Sequence, residues 1–137
     1  MSKKRILILD DEPDLGALVQ HVAERLGYEA TVLADSAQFK STYERVRPNV
    51  IVLDIVMPGI DGIELTRWLM DIGNKAKVVL VTGFDPLYAR SAEVLATAMG
   101  QFPITSLNKP VSLEHLTAAL EISEKVSAPD EGPSNPD

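Results

Sequence analysis

The chain has 137 residues, enough for one domain that buries roughly two-thirds of its unfolded surface around a single core. Its 45% hydrophobic content excludes a wholly disordered polymer, while no apolar run approaches the ~18 residues of a membrane-spanning helix. The absence of cysteine excludes disulfides, thiolate metal sites and cysteine redox chemistry, and a net charge of -7 disfavours broad contact with phosphate backbones, so no direct nucleic-acid partner is expected.

The start, Met1 to Arg5, is basic, but only four apolar residues follow before a run of acids, which does not make a secretory signal. A cytoplasmic location without membrane association is the expectation. Arg5-Ile6-Leu7-Ile8-Leu9 lacks polar alternation, as suits a strand covered on both faces, and it ends in Asp10, Asp11 and Glu12. A helix is predicted over 13–26: Pro13 fits a first-turn position, Leu15, Leu18, Val19, Val22 and Leu26 form a helical stripe, and Gly27 is a stop.

A strand at 29–33 and a helix at 36–46 follow, the latter ending in the solvated charges Glu44, Arg45 and Arg47. A third strand, 49–54, closes on Asp54; the helix after it, 62–71, carries Leu65, Trp68 and Leu69 as packing residues. The fourth strand, 77–82, ends in Thr82 and leads to a helix at 86–98. Gly100 and Pro103 interrupt the next stretch, so a short fifth strand is placed at 102–106. Ser112 is positioned to cap a last helix, 112–125, with Glu114 and His115 in its first turn and Leu113, Leu116 and Leu120 facing inward. Residues 127–137 contain no large apolar side chain and read as a disordered acidic, proline-rich tail or linker stump, leaving 1–126 as the folded domain.

Five β/α units with right-handed crossovers give an α/β doubly wound sandwich, and the expected topology is a flavodoxin-like (βα)5 fold with a five-stranded parallel sheet in the order 2-1-3-4-5. In such a sheet the carboxyl ends of neighbouring strands open into one crevice, where Asp10, Asp11 and Asp54 can meet. Their mutual repulsion calls for a divalent cation. Taken singly, each residue also has an ordinary reading. The acids at 10–12 suit a helix start, Asp54 and Met57-Pro58-Gly59 suit a turn, Thr82 suits a strand end and Lys109 a solvated loop. His21 and His115 lack ligand-spaced neighbours and are placed at the surface, whereas Phe84 and Tyr88 lie near the expected crevice.

The ordered set is more specific than its parts. Asp10-Asp11 follows the first strand, Asp54 stands in Asp54-Ile-Val-Met57-Pro58-Gly-Ile-Asp61-Gly62, Thr82-Gly83 follows the fourth strand and Lys109-Pro110 the fifth. Over about residues 4 to 125 this pattern resembles response-regulator receiver domains, the phosphate-accepting modules of two-component signalling. The resemblance implies that Asp54 is the phosphoacceptor, served by a sensor histidine kinase or a phosphotransfer protein. It implies Mg²⁺ (or Mn²⁺) held directly by Asp11, Asp54 and the backbone carbonyl of Val56, and through water by Asp10. Lys109 and the Thr82 hydroxyl would each take a phosphoryl oxygen, and Pro110 would stiffen the loop Asn108-Lys109-Pro110 through a cis bond. The implied output is altered binding of a downstream protein rather than turnover of a substrate. Kinase docking is implied around the first helix and the site loops. The face made by the fourth helix, fifth strand and fifth helix, around Ala92 to Met99 and Ser106 to Leu116, is implied as the output or dimer surface.

Three positions depart from the family pattern. Ser106 stands where receivers commonly carry Tyr or Phe three residues before the lysine, so the readout is expected to run through loop and fourth-helix shifts. Val56 and Phe84 are apolar where many receivers have side chains that orient water, and slow self-hydrolysis is the expectation. Among rivals, a constitutive scaffold that no longer switches is motivated by Ser106. A Mg²⁺-dependent aspartyl phosphatase of the haloacid dehalogenase kind needs a carboxylate two residues after Asp54, where Val56 stands. A nucleotide-binding domain would need a glycine-rich loop where Asp10-Asp11-Glu12-Pro13 presents anions.

Overall fold

The computed structural model of the chain describes residues 3–55, 62–83 and 97–127. Five strands, β1 (Arg5–Leu9), β2 (Glu29–Leu33), β3 (Val50–Asp54), β4 (Lys77–Thr82) and β5 (Ile104–Asn108), form one sheet in the order β2-β1-β3-β4-β5. Every pairing is parallel. Helices among the described residues include α1 (Pro13–Arg25), α2 (Phe39–Val46), α3 (Gly62–Asp71) and the C-terminal helix (Leu113–Ser127). The architecture is the α/β order expected from the hydrophobic runs.

Those runs lack alternation because β3 and β4 are buried along their whole length and β1 along all but its first residue. Alternate residues feed two cores. Leu7, Leu9, Ile51, Leu53, Val78 and Leu80 pack with Phe39, Leu65 and Leu69 on one side; Ile6, Ile8, Val50, Val52, Val79 and Val81 pack with Val19, Val22, Leu116 and Leu120 on the other. Each such side chain is worth about 1.5–3 kcal/mol of burial. The edge strands β2 and β5 are only partly covered, and their sequences are correspondingly more polar.

Local chemistry sets the ends. Gly27, at φ 93°, closes α1: its N–H donates to the Glu24 carbonyl while that of Tyr28 reaches Ala23, the double bond of a left-handed helix stop. Gly73, at φ 72°, repeats this after α3, with Gly73 N–H to Met70 and Asn74 N–H to Leu69. Ser112 Oγ accepts from the His115 N–H at 3.0 Å and so caps the C-terminal helix. Arg5 does for α2 what sequence did not suggest. Its guanidinium donates to the Val46 carbonyl at 2.7 Å and to the Arg47 carbonyl at 3.0 Å, satisfying orphan acceptors at the helix end.

Trp68 is a packing residue, edge-on to Tyr43 at 5.4 Å and to Phe39 at 6.2 Å. Lys77 was legible only as the start of a strand, yet its side chain is buried and donates to the Ala119 carbonyl at 2.8 Å. Burial holds its ammonium below the ordinary lysine value. With Tyr28 Oη donating to the Leu120 carbonyl at 2.8 Å, it ties the C-terminal helix across the sheet.

Five expectations need correction or limits. The fifth strand runs over Ile104–Asn108 rather than 102–106: Phe102 turns into the core, and Pro103, having no N–H, gives only its carbonyl to the Val78 N–H. The stretch 36–46 is a 3₁₀ turn, Ser36–Gln38, capped by Asp35, followed by α2. Leu113 is 56% exposed, because the inward stripe of its helix is carried by Leu116, Ala119 and Leu120. The helix expected at 86–98 lies outside the described residues except for its last two, as does all but the first residue of the expected tail, and Ser127 ends the C-terminal helix. Among the described residues no helix is long and apolar enough to cross a membrane.

Candidate functional site

A parallel sheet directs all its carboxyl ends to one edge, and here they are crowded with polar groups. The register pairs Leu9 with Leu53, so Asp10, just past β1, stands beside Asp54 at the end of β3; Asp54 pairs with Val81, and Thr82 with Asn108. Asp10, Asp54 and Thr82 are 3%, 2% and 3% exposed. Three polar side chains at the rim of an apolar sheet, almost out of water, need a chemical reason.

Asp10, Asp11 and Asp54 each bring a carboxylate oxygen within 4.8 Å of the others. Asp10 is pushed up to about 6, by burial first and also by the nearby Asp54 charge, against the 2.8 Å hydrogen bond its Oδ1 accepts from the Glu12 N–H. Lys109 Nζ lies 3.3 Å from Asp54 Oδ2 and 3.3 Å from Glu12 Oε2, bridging the two. Partial burial pulls the Lys109 ammonium down, but attraction to Asp54 and its hydrogen bonds to Asp54 and Glu12 outweigh it, leaving it above the ordinary lysine value and charged at neutral pH. The Thr82 hydroxyl donates to Asn108 Oδ1 at 3.0 Å, and the Lys109 N–H donates to the Thr82 carbonyl at 2.7 Å. The Lys109-Pro110 peptide bond is cis.

The donor set fits a hard divalent cation. Three carboxylates facing one point offer oxygen ligands only, and one of them is driven towards protonation by burial and, to a lesser degree, by the Asp54 charge, an imbalance that a dication relieves. Asp10, Asp11 and Asp54 are the residues that would hold it, and it would supply charge neutralisation for an incoming anion. The Val56 carbonyl, Phe84 and Tyr88 lie outside the described residues. Ser106 sits mid-strand in β5, opposite Leu80 and exposed. His21 and His115 are both exposed and take no part in the cluster.

Two contacts escaped sequence reasoning. Glu12 was legible as one of three helix-start acids, not as a partner of Lys109, and Asn108 as a loop residue, not as the partner of Thr82. The first joins residues 97 apart in the chain and the second depends on the two-residue offset of β5. No spacing rule carries either.

The crowding makes a stability prediction. Because Asp10 holds its proton more tightly folded than unfolded, the metal-free protein gains stability below pH 3.8 and loses it as pH rises to about 6. The shift would correspond to about 3 kcal/mol, discounted to about 1–2 kcal/mol for screening in an open cleft. Asp10→Asn is therefore expected to stabilise the chelator-treated protein at pH 7 by that amount and to flatten its stability between pH 4 and 6. Urea denaturation across this range checks it, and an unchanged slope in the variant contradicts it.

Comparison with known proteins follows the same lines. Residues 6–121 match the family model described as the response regulator receiver domain. The chain is 30% identical over 132 residues to "Response regulator MprA" of Mycobacterium sp. (strain KMS), covering 96% of this chain and 55% of that protein. It thus spans about half the length of the curated relatives of this kind. It is 25% identical over 121 residues to "Sporulation initiation phosphotransferase F" of Bacillus subtilis (strain 168), covering 88% of this chain and 94% of that one. Among solved structures, a CheY-like response regulator receiver domain protein from Methanospirillum hungatei JF-1 is 27% identical with a TM-score of 0.71, covering 91% of this chain and 99% of that one.

Proposed function

The chain belongs to the response regulator receiver domain family, and from that premise we propose that it is a phosphorylation-dependent signalling switch whose phosphoacceptor is Asp54. One observation carries the reading: a carboxylate 2% exposed, grouped with two more and touched by a lysine, at the rim of a parallel sheet. Burial removes water that would compete for the incoming group, and the clustered charges leave the carboxylate poised for a phosphorus electrophile.

In the proposed step an Asp54 oxygen forms a bond to phosphorus as the P–N bond of a phosphohistidine breaks, and the nitrogen keeps the electron pair. Negative charge spreads over three equatorial oxygens. Lys109 is already 3.3 Å from Asp54 Oδ2 and needs only a small movement to follow the charge onto the phosphoryl group. The Thr82 hydroxyl donates to a second oxygen. Asp11, Asp54 and the Val56 carbonyl, with Asp10 through water, would hold Mg²⁺, which when bound would offset the acids and polarise the phosphoryl group.

The donor is a sensor histidine kinase or phosphotransfer protein, docking near α1 and the site loops, and the added charge of roughly -1.5 to -2 biases two conformations. The output is altered affinity for a downstream protein, or for a second copy, at the face that includes Ser106 to Leu116. The test is capture of partners from native lysate by the protein with Mg²⁺, with and without beryllofluoride. A partner retained only with the fluoride supports the switch. Equal capture of every partner in both states favours the constitutive scaffold that Ser106 motivates.

Val56 and Phe84 cannot orient water for in-line attack, so the acyl phosphate is expected to be long-lived. Val56→Asn is expected to shorten its half-life on the order of 3- to 10-fold. Phosphate release from the purified phosphoprotein measures this, and an unchanged or longer half-life counts against it.

A further inference from the structure

At the carboxyl end of β4 the Thr82 hydroxyl is directed at the neighbouring end of β5. It donates to Asn108 Oδ1 at 3.0 Å. The pairing follows from register: Thr82 and Asn108 are opposite one another on adjacent parallel strands, so their side chains project from the same face of the sheet. Two residues earlier on that face stands Ser106, opposite Leu80. Thr82 is 3% exposed whereas Asn108 is exposed, so an amide at the solvent boundary covers a buried hydroxyl.

We propose that Asn108 is a positioning residue that parks the Thr82 hydroxyl in the unphosphorylated state and releases it to the phosphoryl group, forming the latch of a switch that has serine at 106. The inference rests on the phosphoacceptor reading above. A threonine hydroxyl has one proton to donate, so the bond to Asn108 and a bond to a phosphoryl oxygen exclude one another. Phosphorylation therefore costs the chain the Asn108 contact and frees an exposed amide at the end of the edge strand, next to Lys109. The charged acceptor forms the stronger bond and wins once present. Asn108 then sets the resting bias.

A double-mutant cycle with Mg²⁺ and beryllofluoride tests this, with binding followed by ¹⁹F NMR and by the Asn108 side-chain amide signals. Asn108→Ala is expected to bind beryllofluoride on the order of 3- to 10-fold more tightly than the wild type, the worth of one competing hydrogen bond. In a Thr82→Ala background the same substitution is expected to change affinity less than 2-fold, because no hydroxyl remains to be released. Asn108→Ser keeps an acceptor and is expected to lie between. In the wild type the Asn108 amide resonances should shift on fluoride addition. If Asn108→Ala gives no gain, or gives the same gain without the Thr82 hydroxyl, the latch is overturned while the phosphoacceptor reading stands. If the wild type fails to bind beryllofluoride at all, both fall together.

Discussion

Asp54→Ala is expected to abolish phosphoryl uptake: incubation with acetyl phosphate and Mg²⁺ should add about 80 Da to the wild type and nothing to the variant. Neither of the other two clustered acids is expected to substitute at comparable rate. Asp11 is exposed, so solvent competes for its carboxylate, while Asp10 is held up to about 6 and already accepts the Glu12 N–H. Among the described residues only Asp54 combines near-complete burial, ionic contact with Lys109 and a place at the end of a fully buried strand. The expected loss is at least about 100-fold in rate. Removing one of three mutually repelling carboxylates should leave the fold intact, so the variant's circular dichroism and thermal transition separate lost chemistry from lost structure. An adduct of equal yield on Asp54→Ala would overturn the assignment of the acceptor.

Lys109→Met is expected to slow phosphorylation by acetyl phosphate about 100-fold while retaining Mg²⁺ binding. The ammonium is the positive side chain placed on Asp54 among the described residues, at 3.3 Å, and Met keeps its length while deleting the charge. Lys109→Arg should recover only part of the rate, because a planar guanidinium is not the compact charge that fits between Asp54 and Glu12. Mg²⁺ affinity should rise, or at least not fall, since the lysine no longer competes for the Asp54 oxygen. Initial rates by intact mass and Mg²⁺ titration by fluorescence of Trp68 or by calorimetry measure the two effects. A Lys109→Met protein phosphorylated at the wild-type rate would remove Lys109 from the proposed mechanism.

Both expectations began with residue types at strand ends. The apolar runs Arg5–Leu9, Val50–Asp54 and Lys77–Thr82 were legible because central strands of a parallel sheet are covered on both sides and cannot hide their composition. Once those strands were placed, their terminal acids, Thr82 and Lys109 had nowhere to lie but one edge. The fifth strand was misjudged by two residues because an edge strand mixes polar and apolar positions: Ile104 and Thr105 are half-buried, Ser106 and Asn108 exposed, and only Leu107 fully inside. Phe102 read as strand because it is apolar, yet it fills the core from the turn before β5.

The linear order of residues determined which segments are central strands and which acids and lysine stand at their ends, because hydrophobic period and strand-end chemistry are local properties that survive without coordinates. Only the tertiary structure decided who touches whom: that Lys109 spans Asp54 and Glu12, that Arg5 closes α2, that Lys77 anchors the last helix, and that Asn108 rather than an acid receives the Thr82 hydroxyl. The reason is physical. A hydrogen bond is fixed to a few tenths of an ångström by strand register and side-chain face, and a shift of one residue turns a side chain to the opposite side of the sheet.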